Sequence, residues 1–347
     1  MPRVTSTLVF ATLLAALVNA SASAQETSAQ GATATPAYGA QLEGFDYPYP
    51  VQRFDFTSQG ENLSMAYMDV PPKAAANGRT IVLLHGKNFC GATWERTIAA
   101  LSEAGYRVVA PDQIGFCASS KPERYQFSFN QLAANSRALL EKLGISRATI
   151  VGHSMGGMLA ARFALAYPGT VEQLVLVNPI GLEDWQAAGV PYQSVDAAYQ
   201  GELKTSFASI KAYQQKFYYH GNWKPEYDLW VAMLAGMYAG PGKERVAWNQ
   251  ALTSDMVFTQ PVIHEFGRIT APTVLIIGGM DRTAPGANRA SPEIAGRLGN
   301  YPELGRAAAR TIPRATLVEF PDYGHSPQVE APEAFHAALL RELSKGL

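Results

Sequence analysis

The sequence predicts an α/β protein, with a mostly parallel eight-stranded sheet, helices on both faces and an inserted helical cap. Three observations predict it. Short apolar runs alternate with helical stretches from Thr80 to Val177, the rhythm of strand–helix–strand units. That rhythm stops between residues 181 and 266, where helical stretches and aromatic residues occur without a strong strand. It resumes with apolar runs at Thr273–Ile277 and Thr316–Phe320. The predicted core is therefore 46–180 and 267–347, and the cap is 181–266.

In chain order, residues 1–24 read as an export signal. Arg3 gives a positive start, Leu8 to Val18 is an uncharged apolar run, and Ala22-Ser23-Ala24 fits a cleavage site before Gln25. The apolar run is short for a membrane span, so the expected mature chain is periplasmic or secreted, with no integral span. Residues 25–45 are rich in Ala, Thr, Ser, Gln and Gly and are expected to be a flexible leader. Val51–Phe56 and Leu63–Val70 are predicted strands around the turn residues Ser58-Gln59-Gly60-Glu61. Thr80–Leu84 is a continuous apolar run, as a strand buried on both faces requires. Thr93–Ala104 has helical spacing and stops at Gly105. Arg107–Ala110 is a strand before Pro111-Asp112. Asn130–Leu143 is a helix ended by Gly144. The strand Ala148–Val151, the helix Met155–Tyr167 and the strand Leu174–Val177 follow, the last closed by Asn178-Pro179. A final helix spans about Glu333–Leu343. The long connection 284–310 is expected either to form an extra helix at a site rim or to cover the sheet edge.

Composition narrows the function. Of 347 residues, 47% are hydrophobic and 16% charged, which excludes disordered and low-complexity classes. The formal net charge is −1, so no basic excess points to nucleic acid. The sequence holds no HExxH, no paired CxxC, no EF-hand pattern, no P-loop, and no GxGxxG after a first strand. No metal and no cofactor is expected. Cys90 and Cys117 are the two cysteines. In an exported chain they could form a disulfide or remain two buried thiols.

The strongest motif is Gly152-His153-Ser154-Met155-Gly156, followed by Gly157. It matches G-x-S-x-G and lies between a predicted strand and a predicted helix, where a serine on a sharp turn stands at a helix amino terminus. A developing negative charge is favoured there by free N–H groups and the helix dipole.

With His85-Gly86, Pro111-Asp112, Asp281 and His325 after other strands, this motif makes the chain resemble the α/β-hydrolase superfamily over about Val51 to Leu343. In that family a nucleophile, an acid and a histidine follow in that order. The resemblance implies Ser154 as nucleophile, Asp281 as the acid that orients the histidine, and His325 as general base. Asp184 and Asp322 are the rival acids. It implies oxyanion donors from the backbone of Met155 and Lys87, with Asn88 second. The Lys87 side chain is expected to turn to solvent, although its ammonium could also meet a polar group of a substrate. The family sheet sets the loops holding Cys90 and Cys117 side by side, which favours the disulfide. His85 and His153 are given packing and hydrogen-bonding roles; His220, His264 and His336 are expected to be solvated or packed.

The implied activity is a serine hydrolase cleaving a carboxylic ester, thioester or lactone through an acyl-enzyme. The aromatic cap suggests a small, partly apolar substrate. The alternatives are a carbon–carbon bond hydrolase, a peptidase resembling the proline iminopeptidases, and a non-catalytic ligand-binding protein of the same fold.

Overall fold

The computed structural model describes residues 35–345, together with Pro2. The export signal at 1–24 and residues 25–34 of the expected leader lie outside the described residues, Pro2 apart. Eight strands form one sheet: β1 Val51–Ser58, β2 Glu61–Val70, β3 Thr80–Leu84, β4 Arg107–Pro111, β5 Ala148–His153, β6 Val171–Val177, β7 Thr273–Gly278 and β8 Ala315–Phe320. Their spatial order is β1-β2-β4-β3-β5-β6-β7-β8. The β1–β2 hairpin is antiparallel and β2 pairs antiparallel with β4; every later pairing is parallel.

The strand sequences explain the layers. Successive side chains of a strand point to opposite faces. Ile81 and Leu83 of β3 join Trp94, Ile98, Leu101, Phe335, Leu339 and Leu343 on one face. Val82 and Leu84 join Leu132, Leu139, Leu159 and Phe163 on the other. The helices Glu95–Glu103 and Pro332–Lys345 thus cover one face, and Phe129–Lys142 and Met155–Ala166 the other. A strand covered on both sides has no polar face, hence the unbroken apolar runs.

Between β6 and β7 the chain forms the helices Val195–Glu202, Phe207–Phe217, Asp228–Ala239 and Lys243–Thr259, with no strand among them. This is the helical insertion. The connection after β7 has two parts. Its helix Tyr301–Thr311 packs on β7 and β8, while Pro285, Gly286, Asn288 and Arg289 border the cavity described below. Among the described residues no helix is long and apolar enough to cross a membrane.

One boundary needs correction. Residues 35–45, expected within the flexible leader, are ordered and packed. Leu42 is fully buried, and Tyr38, Ala40 and Phe45 lie against the main core. The Tyr38 amide donates to the Gly236 carbonyl at 2.9 Å. Tyr38 and Phe45 pack edge to face. The composition looked leader-like because its few apolar side chains are spread among small polar ones. Their partners are on a helix some two hundred residues downstream.

Candidate active site

Ser154 occupies the turn between β5 and the helix Met155–Ala166, with φ 56° and ψ −122°. This left-handed conformation is strained for a residue with a side chain. Close packing holds it. A Cβ at Gly156 would lie 2.2 Å from the Leu84 carbonyl oxygen, so only glycine lets the helix start this near β3. Ser154 is 4% exposed and borders a cavity of about 690 Å³ between the sheet end and the inserted helices. Met155 is the first residue of its helix, so its amide N–H has no acceptor within the helix.

The parallel strands deliver the other groups in sheet order. Asn178 follows β6, Asp281 follows β7 and His325 follows β8. The Asp281 carboxylate is fully buried and accepts three hydrogen bonds. His325 Nδ1 donates to Oδ2 at 2.6 Å, Asn178 Nδ2 to the same oxygen at 2.8 Å, and the Thr283 amide to Oδ1 at 2.8 Å. Because a carboxylate only accepts, Nδ1 of His325 carries a proton. Nε2 is then the ring nitrogen left to accept a proton. It is buried and, among the described residues, has no hydrogen-bond partner, Ser154 included.

The His325 backbone is fixed from two sides. Its amide donates to the Tyr218 carbonyl at 2.8 Å, and its carbonyl accepts from His153 Nε2 at 2.8 Å. The Tyr218 ring, contributed by the insertion, lies 4.4 Å from the imidazole with its plane tilted 32°. Burial, with the neighbouring His325 adding to it, holds His153 well below the usual histidine range, so it stays neutral.

The loop after β3 lies against the serine; a Cβ at Gly86 would be 2.9 Å from that of Ser154. His85 shapes this loop. Its Nδ1 faces the Gly86 carbonyl at 2.8 Å and its Nε2 accepts from the Gln113 amide at 3.0 Å. A carbonyl can only accept and an amide only donate, so His85 is the neutral Nδ1–H tautomer. Burial keeps its pKa low, consistent with that form. Lys87 and Asn88 both border the cavity. The Lys87 side chain does not turn to solvent as expected. Its ammonium reaches across to Gln250 Oε1 at 2.9 Å and Glu202 Oε1 at 3.2 Å on the inserted helices. The four-carbon stem is long enough to bridge loop and insertion, and a half-buried carboxylate there recompenses the lost water.

Cys90 and Cys117 are joined as a disulfide, with Cα atoms 5.8 Å apart. β3 and β4 are neighbours in register, which is why the two loops meet. Between them Asp112 accepts from the Gly91 amide at 2.7 Å, the Ala118 amide at 3.0 Å and the Tyr47 hydroxyl at 2.5 Å.

The rival acids are elsewhere. Asp184 accepts from His264 Nε2 at 2.8 Å, and Asp322 is exposed. His220 pairs with Glu330 at 2.7 Å, and Glu330 in turn accepts from the Gly324 amide at 2.6 Å. His336 packs beside Phe335 and meets Thr97 Oγ1 at 3.1 Å. Sequence reasoning missed Asn178 and Tyr218 as supports of Asp281 and His325. Asn178 was legible only as a strand terminator, and Tyr218 as one aromatic among many.

Comparison with known proteins bears on the fold and the family. The family model described as alpha/beta hydrolase fold matches residues 79–332. A probable hydrolytic enzyme from Pseudomonas aeruginosa PAO1 is 64% identical, with TM-score 0.88, covering 90% of this chain and 99% of that one. A 2-hydroxy-6-oxo-6-phenylhexa-2,4-dienoate hydrolase from Burkholderia cepacia is 27% identical over 280 residues, 78% of this chain and 90% of the relative. An enol-lactonase from Burkholderia xenovorans LB400 shares the fold at 21% identity and TM-score 0.62, over 84% of this chain and 100% of its own.

Proposed function

The chain belongs to the α/β-hydrolase family, and from that premise we propose that it is a serine hydrolase cleaving a carboxylic ester, thioester or lactone through an acyl-enzyme. The observation that carries this is the buried Asp281–His325 pair, with Nε2 unpartnered at the end of the sheet that also presents Ser154. Ser154 Oγ attacks the carbonyl while His325 Nε2 takes its proton, the bond between them tightening once substrate is bound. Asp281 holds the imidazole in the Nδ1–H tautomer and stabilises the imidazolium. The amides of Met155 and Lys87 receive the oxyanion. His325 returns the proton to the leaving oxygen or sulfur, and water then releases the acid by the same steps.

The test is a panel of p-nitrophenyl esters of increasing chain length, acyl lactones and a proline arylamide, on the protein and on Ser154→Ala. Ester or lactone turnover should fall by roughly 10⁴–10⁶-fold in the variant. Turnover that survives in Ser154→Ala would sink the acyl-enzyme, and cleavage of the arylamide alone would favour a peptidase. A second reading is supported by the Burkholderia cepacia relative, whose name describes a carbon–carbon bond hydrolase. A vinylogous β-diketone that is cleaved while every ester is left intact would favour it.

We propose further that residues 1–24 direct export, a reading supported by the Cys90–Cys117 disulfide, since such bonds persist in oxidising compartments. Intact mass of the periplasmic or secreted protein should place its first residue at Gln25; a chain beginning at Met1 would refute cleavage there.

A further inference from the structure

The cavity wall is unevenly charged. Its two carboxylates already have partners. Glu202 accepts from Lys87 and, at 2.6 Å, from the Tyr238 hydroxyl. Asp255 accepts from the Tyr192 hydroxyl at 2.9 Å. Lys87 is neutralised by Glu202, and Lys204 stands exposed at the edge.

Arg289 is different. It is half-buried and borders the same cavity as Ser154, and among the described residues no carboxylate lies within ion-pair distance of it. Burial lowers its pKa from the usual arginine value, yet a guanidinium remains charged. Three neutral neighbours hold it in place. Nε donates to the Pro191 carbonyl at 3.1 Å, Nη1 donates to Gln193 Oε1 at 3.1 Å, and the Phe258 ring lies 5.3 Å beneath the guanidinium carbon. Gly286, at φ 83°, leaves the room: a Cβ there would come 2.6 Å from Nη2. The fork is thus oriented and crowded into place, while Nη2 has no acceptor among the described residues. A half-buried, pre-oriented cation without a carboxylate partner among the described residues fits an anionic group of the ligand, since a planar fork matches a carboxylate.

We propose that Arg289 is a specificity-determining residue that binds a carboxylate on the substrate, making the preferred substrates acyl compounds with a second, anionic carboxyl group. This rests on the serine-hydrolase reading of Ser154, and the test separates the two. The substrates are p-nitrophenyl hemisuccinate, hemiadipate and hemisuberate, each beside the uncharged ester of equal length, because the reach from Ser154 to Arg289 sets which chain fits. At the matching length the carboxylate ester should have the higher kcat/KM. Arg289→Gln should lower that value roughly ten- to hundredfold, mainly through KM, and leave the uncharged ester unchanged. Arg289→Lys, which keeps the charge, should retain part of the preference. Equal turnover of charged and uncharged esters at every length, unaffected by Arg289→Gln, overturns the proposal and leaves the Ser154 reading intact. Should neither these esters nor the acyl lactones be cleaved, the Ser154 reading fails, and calorimetry with adipate decides the anion site alone. Binding weakened by Arg289→Gln supports it; absent or unchanged binding overturns it.

Discussion

Asn178 shows how a single side chain can set the chemistry of another. Its amide donates to Asp281 Oδ2 while its carbonyl oxygen accepts from the Gly278 amide at 3.0 Å. Asn178→Ala would strip one donor from a buried carboxylate and orphan a buried N–H. The expected loss is about 1–3 kcal/mol of stability, read by denaturant melting, with kcat falling more than KM rises. A normal kcat would mean that Asp281 is held well enough by Thr283 and His325 alone. His336 gives a prediction in pH. Burial lowers its pKa to about 4, against about 6.5 in the unfolded chain. The unfolded state therefore binds more protons between those values. The contribution of the neutral histidine is present in full above about pH 6.5 and is lost as pH falls towards 4. His336→Leu should remove this dependence. Relative to the original chain, its melting temperature should rise between pH 7 and pH 4, by the equivalent of roughly 1–3 kcal/mol. A difference that stays constant with pH would refute it.

At the scale of elements, legibility follows from where partners lie in the sequence. β3, β5 and β7 could be read because a strand buried on both faces announces itself in its own residues. The serine turn could be read because its glycines are local. The insertion was legible as helical, yet its helix boundaries were not, since a helix docked on several neighbours lacks one apolar stripe. Asp228–Ala239 is apolar on nearly every side for that reason. Segment 35–45 was misread because its contacts are remote. It crosses that helix at Gly236 and Gly240, and a Cβ at Gly240 would fall 1.7 Å from the Tyr38 carbonyl oxygen. Gly240→Ala should therefore displace the segment rather than strain the helix. Limited proteolysis should cut between residues 35 and 45 much faster in the variant, with the rest of the chain still resistant. Equal cutting rates would show that the segment does not depend on this contact.

For the molecule as a whole, the loop beside Ser154 is a junction between parts that are far apart in the chain. Lys87 ties it to the inserted helices, His85 ties it to Gln113, and the Cys90–Cys117 disulfide ties it to the loop after β4. Asp112 closes the same junction by binding Tyr47, where the chain enters the sheet, together with Gly91 and Ala118. The disulfide spans 27 residues, so its loss frees a long loop in the unfolded chain and loosens the native junction. The paired substitution of Cys90 and Cys117 by serine should cost roughly 2–5 kcal/mol of stability. Because the junction also carries Lys87, kcat should fall as well, even at temperatures where the variant is fully folded. Those two effects are separable by measuring melting temperature and ester turnover on the same preparations, with and without reductant. Reductant should bring the original chain close to the variant in both. A variant that melts early but turns over normally when folded would show that the disulfide serves stability alone, and that hydrogen bonds to Asp112 and His85 suffice to shape the loop.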